Sequence, residues 1–299
     1  MAKAVHLRQD ERAGRTAAER KLRQLQLSSG GGMKHDAAAE AADASSSGCS
    51  YTPVGYMESC FVERRGTPRQ GMLAPEARAR LRIRASVVQP AAALDGLSGF
   101  SHVWLVYDFH ENTNAGKSAE KIKAKVHPPG LGGGKIGLFA TRTPHRPNPI
   151  GLTCARLLAV EGDTLVLGGA DLIHGTPVLD VKPYLRHDIQ SDATVPSWCE
   201  KRSDASLIAE VRFSEAATTQ LDEAIKTRRL LFYSDALTAR AAIEQMLQLD
   251  IRSVHQGRGR QQGAAAQDYR CRIDALELSF TTHETHVLVT EVTCEKGQR

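Results

Sequence analysis

The sequence predicts a mainly β protein, built as an antiparallel β-barrel or curled sheet and followed by a small α+β lobe. Between Pro53 and Leu185, short apolar runs are separated by Gly and Pro, and no helical periodicity alternates with them as it would in βαβ units. Beyond residue 200, two helical patterns and two alternating runs follow one another. We therefore divide the chain into an N-terminal arm (1–50), a barrel domain (51–200) and a C-terminal α+β lobe (201–299).

The N-terminal arm differs in composition from the rest of the chain. Residues 8–28 mix charged residues with Ala, Leu and Gln, which is typical of a short exposed helix, and Gly30–Gly32 and Ser45–Ser47 follow. This composition cannot bury a core and predicts a linker or a disordered, solvated arm. Contact with RNA or an organelle address stays open, although Glu11 and Glu19 are untypical of an acid-poor transit peptide.

Three features predict strands in the barrel domain. Arg80–Val88 alternates basic and apolar residues, as a half-buried strand does. His102–Phe109 is a nearly continuous apolar run, long enough for a buried strand and too short for a secure helix. Glu161-Gly162-Asp163 is a turn signal before the apolar run Leu165–Gly168, which predicts a hairpin.

The C-terminal lobe carries two helical patterns and a hairpin pattern. Ser214 is a candidate cap for a first helix, whose apolar residues recur at helical spacing, and a second helix fits Asp235–Leu249. Tyr269–Phe280 alternates as one strand would, and Val287–Val292 is its expected partner across a short turn.

Bulk properties exclude several classes of protein. The formal charge of +5 and the pI near 8.9 are compatible with a polyanionic partner without requiring one. Six cysteines form no C-x-x-C pair, which favours reduced thiols in an intracellular protein. We expect no membrane span and no signal peptide. The predicted location is the cytoplasm, with organellar targeting by the N-terminal arm left open. The Rossmann glycine pattern, the Walker phosphate loop, the G-x-S-x-G elbow and metal-binding His/Cys sets are absent from the sequence.

The segment 137–152, GLFATRTPHRPNPIGL, is the strongest candidate site. Its three prolines lack backbone donors and fix φ, so the segment is expected to be a stiff loop and not a central strand. Two guanidiniums, an imidazole and an amide project from it and suit an anion or a polar ligand; they belong to Arg142, His145, Arg146 and Asn148. The alternative is a simple corner with solvated arginines.

Two further polar segments accompany the proline loop. In residues 170–185, Asp171 and Asp180 flank a Gly-Thr-Pro turn, where Gly175 permits close backbone approach to a ligand. The alternative is an ordinary turn with Asp180 paired to Lys182 or to an arginine elsewhere. The segment 63–70, ERRGTPRQ, adds a third polar loop after the first strand.

Four segments, in this order and spacing, resemble the TsaA-like (TrmO) family of tRNA methyltransferases: FVERRGTPRQ, GFSHVWLVYDFH, GLFATRTPHRPNPIGL and DLIHGTPVLDVKPYL. The resemblance implies a compact non-Rossmann β-barrel, usually a homodimer with the cofactor near the subunit interface. It implies transfer of a methyl group from S-adenosylmethionine to N6 of threonylcarbamoyl-adenosine at position 37, in the anticodon loop of tRNA. The cofactor-binding positions that it implies are Pro68, Arg69, Gln70, His110, Glu111, Arg142, Leu152, Thr176, Pro177, Val178, Leu179 and Asp180. His145, Arg146 and Asn148 match positions that line the same cleft.

The acceptor nitrogen belongs to a urea, so removing its proton during transfer would help the reaction. Asp180 and His145 are the first candidates for this base, Asp171 is a further one, and an enzyme that relies on orientation alone stays possible. Arginines in the cleft are candidates to bind the threonyl carboxylate.

The tail departs from the family pattern. An Asp-Pro-Arg-Pro stretch is usual there, whereas this chain has Asp250-Ile251-Arg252-Ser253. Asp250 and Arg252 remain candidates for substrate binding, and the missing prolines put the positioning of the tRNA in doubt. Two other classes are considered: a non-catalytic RNA- or nucleotide-binding barrel, and a hydrolase that uses His145 with Cys154.

Overall fold

The computed structural model describes residues 50–111, 122–128, 131, 133–199, 210–249, 251, 268–283 and 285–294. The predictions for residues 1–49, Asp250 and Arg252 lie outside these ranges. The chain divides into two compact units, Met1–Tyr51 with Glu111–Lys117, and Thr52–His110 with Ser118–Arg299. The second unit contains both the barrel and the C-terminal lobe.

Eight strands and a one-turn helix make up the barrel region. In chain order they are β1 Gly55–Ser59, β2 Arg78–Ile83, α1 Pro90–Ala93, β3 His102–Asp108, β4 Lys125–Val126, β5 Ile136–Gly137, β6 Ile150–Glu161, β7 Thr164–Gly168 and β8 Pro177–Pro183. Six of the strands close an antiparallel barrel in the order β1-β2-β7-β6-β3-β8, whereas β4 and β5 form a separate two-stranded ribbon. The prediction of a mainly β, barrel-type fold is confirmed.

Alternating side chains fill the barrel. Val103, Leu105 and Tyr107 of β3 are buried in its core, while Trp104 and Val106 point outward and are half-buried. The segment His102–Phe109 is apolar on both faces because the outer face of β3 is partly covered as well as the inner face. The predicted hairpin forms between β6 and β7, with Gly162 at a φ of +63°.

The predicted strand Arg80–Val88 is wrong at both of its ends. β2 spans Arg78–Ile83, and Val87 and Val88 both donate backbone hydrogen bonds to the Arg84 carbonyl. The chain turns there because it enters α1, whose first position is Pro90 and whose N-terminus is capped by the side chain of Gln89.

The C-terminal lobe contains β9 Glu210–Phe213, α2 Glu215–Lys226, α3 Ala236–Gln248, β10 Asp268–Ile273, β11 Leu276–Thr282 and β12 His286–Cys294. Its sheet has the order β10-β11-β12-β9, with β9 parallel to β12. Both helices begin as predicted, since Ser214 accepts a hydrogen bond from the amide of Ala217 and Asp235 accepts one from that of Thr238.

The prediction of a single strand over Tyr269–Phe280 is wrong. Asp274 has a φ of +54° and, with Ala275, forms a tight turn that folds the run into the hairpin β10–β11. The alternation continues across the turn because both arms present the same face to the helices. The predicted pairing with Val287–Val292 is confirmed as β11–β12.

The connection between β1 and β2 packs into the core of the C-terminal lobe. Cys60, Phe61, Ala74 and Ala77 are buried together with the apolar side chains of α2, α3 and the lobe sheet. The lobe therefore supports the segment that contains the first predicted polar loop.

All five described cysteines are free thiols. Among the described residues, no helix is long and apolar enough to cross a membrane. The same residues contain no group of three or more His, Cys, Asp or Glu side chains able to hold a metal ion.

Candidate functional site: the barrel mouth

Three connections leave the barrel at one end, which we call the barrel mouth. They join β1 to β2 (60–77), β3 to β6 (109–149) and β7 to β8 (169–176). Because neighbouring barrel strands are antiparallel, β1, β3 and β7 end where β2, β6 and β8 begin. The three polar segments of the sequence thus lie at the same end of the barrel.

Two glycines bring the first and third connections into backbone contact. A Cβ on Gly71 would overlap the carbonyl oxygen of Gly169 and would lie 3.2 Å from the amide nitrogen of Asp171. Gly169 itself has a φ of +65°. The chain next to Gln70 therefore lies directly against the chain next to Asp171. Of the predicted residues in this loop, Pro68 is buried, whereas Arg69 and Gln70 are exposed.

The third connection is held rigidly against β1. The amide of Gly175, at a φ of +81°, donates to the Met57 carbonyl at 2.7 Å, and the amide of Met57 donates to the Thr176 carbonyl at 2.9 Å. The Thr176 hydroxyl donates to the Ile173 carbonyl at 2.6 Å. The side chain of Thr176 thus stabilises the turn. A ligand at this connection would therefore contact its backbone and the side chains next to Thr176.

Several contacts hold the proline loop in place, and one of its arginines makes two of them. The Arg146 guanidinium donates to the Thr141 carbonyl at 2.8 Å and lies 5.3 Å from the centre of the Phe139 ring. The loop is tied to the end of β3 by a 2.8 Å hydrogen bond from the Phe109 amide to the Pro149 carbonyl. Arg142 and Asn148 are exposed, and His145 is half-buried. Arg146 is thus engaged within the loop, while Arg142 faces solvent.

A buried polar cluster lies just inside the mouth. It consists of Tyr107 on β3, Gly151 and Thr153 on β6, and Asp171 after β7. The Tyr107 ring covers Gly151 so closely that a Cβ there would overlap it. Burial raises the pKa of Asp171, against the effects of a hydrogen bond from the Thr153 hydroxyl and of the Arg142 charge. Burial and the charge of Asp171 likewise raise the pKa of Tyr107.

Other predicted residues lie on the outer surface of the barrel. Leu152 on β6, Val106 on β3 and Asp180 on β8 form one row across the sheet. Leu152 is 59% exposed. One Asp180 oxygen lies 2.7 Å from Nζ of Lys182, and the other accepts a hydrogen bond from the Val181 amide. The predicted pairing of Asp180 with Lys182 is therefore present. Of the predicted residues between Thr176 and Asp180, Val178 points into the barrel core, and Pro177 and Leu179 are half-buried.

Two predicted residues follow directly after β3. His110 is half-buried, and its amide donates to the Asp108 carbonyl at 2.8 Å. It is therefore placed at the mouth by the end of the strand. Glu111 belongs to the first compact unit and is not placed relative to the barrel.

Sequence reasoning missed Tyr107, Gly151 and Thr153. The available signal was the period-2 alternation of β3 and β6, which turns all three side-chain positions inward at the strand ends nearest the mouth. A glycine opposite an aromatic residue in neighbouring strands, here Gly151 opposite Tyr107, is a recognisable packing pair.

The thiol of Cys154 lacks the surroundings of a nucleophile. It lies opposite Trp104 on the outer side of β6, and burial raises its pKa. A reactive cysteine requires a lowered pKa and a neighbouring base. The structure therefore gives no support to the hydrolase hypothesis.

The closed antiparallel barrel, with three polar connections at one mouth, defines a β-barrel protein whose described strands do not have Rossmann topology. Residues 56–189 match the family model described as the tRNA-methyltransferase O N-terminal domain. A crystal structure of TrmO superposes with a TM-score of 0.63 at 33% identity, covering 82% of this chain and 99% of the other. The chain belongs to the TrmO family.

The matched share of the relative's own length differs between two named relatives. A human tRNA (adenine(37)-N6)-methyltransferase is 54% identical over 134 residues, which are 44% of this chain but only 29% of the human protein. The Eikenella corrodens protein of the same name is 45% identical over 124 residues, covering 36% of this chain and 68% of its own length. The match to the human relative thus spans less than a third of that relative.

Proposed function

We propose that this protein is an S-adenosylmethionine-dependent methyltransferase that modifies N6 of adenine 37 in tRNA. The observation that carries the proposal is the convergence of three polar connections at the mouth of a TrmO-type barrel. Relatives with this domain are named tRNA (adenine(37)-N6)-methyltransferases, and a Pseudomonas aeruginosa relative is named a putative S-adenosylmethionine-dependent methyltransferase. A tRNA substrate makes the cytoplasm the proposed place of action.

The side chains at the mouth suit S-adenosylmethionine, which carries a carboxylate, an ammonium group and an apolar chain. The exposed guanidiniums of Arg69 and Arg142 are matched to the carboxylate, and Gln70 supplies an amide. The exposed side chain of Leu152 offers an apolar contact beside the Thr176–Asp180 segment. His110, half-buried after the end of β3, completes the proposed set at the mouth. When bound, the cofactor supplies an electrophilic methyl group on a sulfonium.

The protein's own residues would orient the acceptor and take its proton. Bound S-adenosylmethionine would supply the methyl group for N6 and leave as a neutral thioether, and a base of the protein would take the N6 proton. Asp180, half-exposed on the outer row, and His145 in the proline loop are the proposed bases. Arg146 and Asn148, together with Asp250 and Arg252 from the tail, are proposed to contact the tRNA.

We further propose that the acceptor is threonylcarbamoyl-adenosine. Its threonyl carboxylate needs a cationic partner, and Arg142 is exposed at the mouth while Arg146 is engaged within the loop. Arg142, alongside Arg69, is therefore proposed to bind the carboxylate of cofactor or substrate, with Arg146 shaping the loop.

Methyl transfer from labelled S-adenosylmethionine to tRNA, with and without the threonylcarbamoyl group, tests this function. We expect label only in the premodified tRNA. We expect Arg142→Ala to lower kcat/KM at least about tenfold, since a hydrogen bond to a charged group contributes roughly 1.5–3 kcal/mol. Arg82→Ala is the control, because Arg82 is a 68% exposed side chain on the outer face of β2.

Each other outcome has a defined meaning. Equal labelling of both tRNAs would rule out the threonylcarbamoyl specificity, and unchanged turnover of Arg142→Ala would remove Arg142 from the site. A protein that binds RNA but no S-adenosylmethionine would instead be a non-catalytic RNA-binding barrel.

We also propose a homodimer, formed through the outer face of β6 and the chain that follows β8. Exposed apolar side chains gather on these two segments: Ile150, Leu152, Leu185 and Ile189. Exposed apolar side chains can mark protein contacts when they lie together at the surface.

Leu152→Glu is expected to shift the protein from dimer to monomer in light scattering coupled to size-exclusion chromatography, because it places a charge in the proposed apolar contact. Leu237→Glu is the matched control, since Leu237 is 81% exposed at the start of α3. A wild-type monomer, or a Leu152→Glu dimer as stable as the wild type, would contradict this interface.

A further inference from the structure

Asp171 is an unusual carboxyl group for its position. It lies at the inner edge of the barrel mouth, and its Oδ1 atom is buried without a hydrogen-bond partner among the described residues. A buried acceptor without a partner costs roughly 1–3 kcal/mol, and more for a charged group. An apolar side chain would avoid this cost, so the arrangement suggests a role outside folding.

The surroundings of Asp171 orient it without neutralising it. The Thr153 hydroxyl, on an inward position of β6, supplies one hydrogen bond. Backbone contact between Gly71 and Gly169 holds the start of its connection in place. The charged or titratable groups that act on it are Tyr107 of β3 and Arg142 of the proline loop. Of these two described neighbours, Arg142 is the cation.

We propose that Asp171 is a positioning residue that draws the exposed Arg142 guanidinium toward the barrel mouth and orients it for the ligand's carboxylate. This inference rests on the proposed function, in which Arg142 binds a carboxylate. One guanidinium has donors on two edges, so it can contact the Oδ1 atom of Asp171 and a ligand carboxylate together. The Tyr107 ring packs on Gly151 in the same cluster as Asp171.

Two consequences distinguish this role from a structural one. Removing the charge while keeping the shape should leave the fold as stable as before, or more so, because the buried carboxylate is incompletely satisfied. The same change should weaken ligand binding. A residue that only supports the fold would show the opposite combination, lower stability whenever it is replaced.

The affinity for the ligand is expected to change with pH in a defined direction. Asp171 attracts Arg142 only as a carboxylate, and burial raises its pKa above the ordinary value. Affinity for the ligand should therefore rise with pH through the raised pKa and fall below it, by up to about tenfold per pH unit. The dependence of the affinity on pH should vanish when the side chain at position 171 cannot ionise.

Calorimetric titration of the full-length protein with S-adenosylmethionine, from weakly acidic to neutral pH, tests the proposal. For Asp171→Asn we expect about tenfold weaker binding at neutral pH, a flat pH profile and an unchanged or higher Tm. Thr153→Val, which removes the orienting hydroxyl but keeps the carboxyl, should give a smaller loss with the pH slope retained. Asp163→Asn, at the β6–β7 turn far along the strands from the mouth, should match the wild type.

Unchanged affinity and an unchanged pH profile in Asp171→Asn would overturn the proposal, as would a weaker affinity accompanied by a lower Tm. Failure of the wild type itself to bind S-adenosylmethionine would refute the proposed function instead. The two failures are therefore distinguishable.

Discussion

Gly71→Ala is expected to lower the free energy of unfolding by about 3 kcal/mol or more, because overpacking against backbone cannot be relieved by a change of rotamer. The new Cβ would overlap the Gly169 carbonyl oxygen and approach the Asp171 amide nitrogen. Both atoms belong to the backbone of the third connection, so the two connections must separate. Chemical denaturation followed by circular dichroism measures the loss.

The same substitution should weaken S-adenosylmethionine binding, since it moves Gln70 and Asp171 apart. Gly99→Ala is the matched control: Gly99 lies in the β2–β3 connection, and a Cβ there has no atom within 4 Å. Wild-type stability in Gly71→Ala would mean that the close approach of the two connections does not contribute to the fold.

Asp274→Ala is expected to cost about 3 kcal/mol, because it leaves buried backbone donors without an acceptor. The carboxylate accepts hydrogen bonds from the amides of Leu231 at 3.0 Å and Phe232 at 2.9 Å, and its own amide donates to the Cys60 carbonyl at 2.6 Å. Asp274 thereby joins the β10–β11 turn, the chain before α3 and the end of β1. Alanine also tolerates the φ of +54° less well than aspartate.

Asp274→Asn should cost less, about 1 kcal/mol, since an amide oxygen still accepts a hydrogen bond and Asn adopts the left-handed region readily. Burial raises the pKa of Asp274, so the native state holds this proton more tightly than the unfolded state. Its contribution to stability should therefore rise as the pH falls through the raised pKa, and this trend should be absent in the Asn variant. Equal stability of the Ala variant and the wild type would exclude the anchoring role.

Local chemistry was predictable wherever a few neighbouring residues decide the structure. Ser214 and Asp235 cap their helices because their side chains accept hydrogen bonds from the amides three residues further along the chain. Such a contact depends only on residues that are close in sequence. The prolines of the 137–152 loop fix φ regardless of what surrounds them. Of the two turns, the one at Gly162 was predicted from its glycine. The turn at Asp274 was not predicted, because it lies within a run of alternating apolar and polar residues.

The site was predictable as a set of segments but not as a geometry. Four motifs were sufficient to predict the family and the barrel, which the fold and the comparisons confirm. The motifs did not reveal that Arg146 is occupied by Thr141 and Phe139 while Arg142 is exposed. They also did not reveal that Asp180 lies on the outer surface beside Lys182 and Asp171 inside the mouth.

The sequence by itself determined the mainly β class, the helix caps, the proline-fixed φ angles of the 137–152 loop and the membership of the family, since these depend on residue order and near neighbours. Only the tertiary structure decided which polar groups meet. Tyr107, Thr153 and Asp171 come from three different elements, and they become neighbours because the closed barrel turns one face of each strand inward. Burial then decides their chemistry, because a carboxyl removed from water resists ionisation whatever residues flank it in the chain.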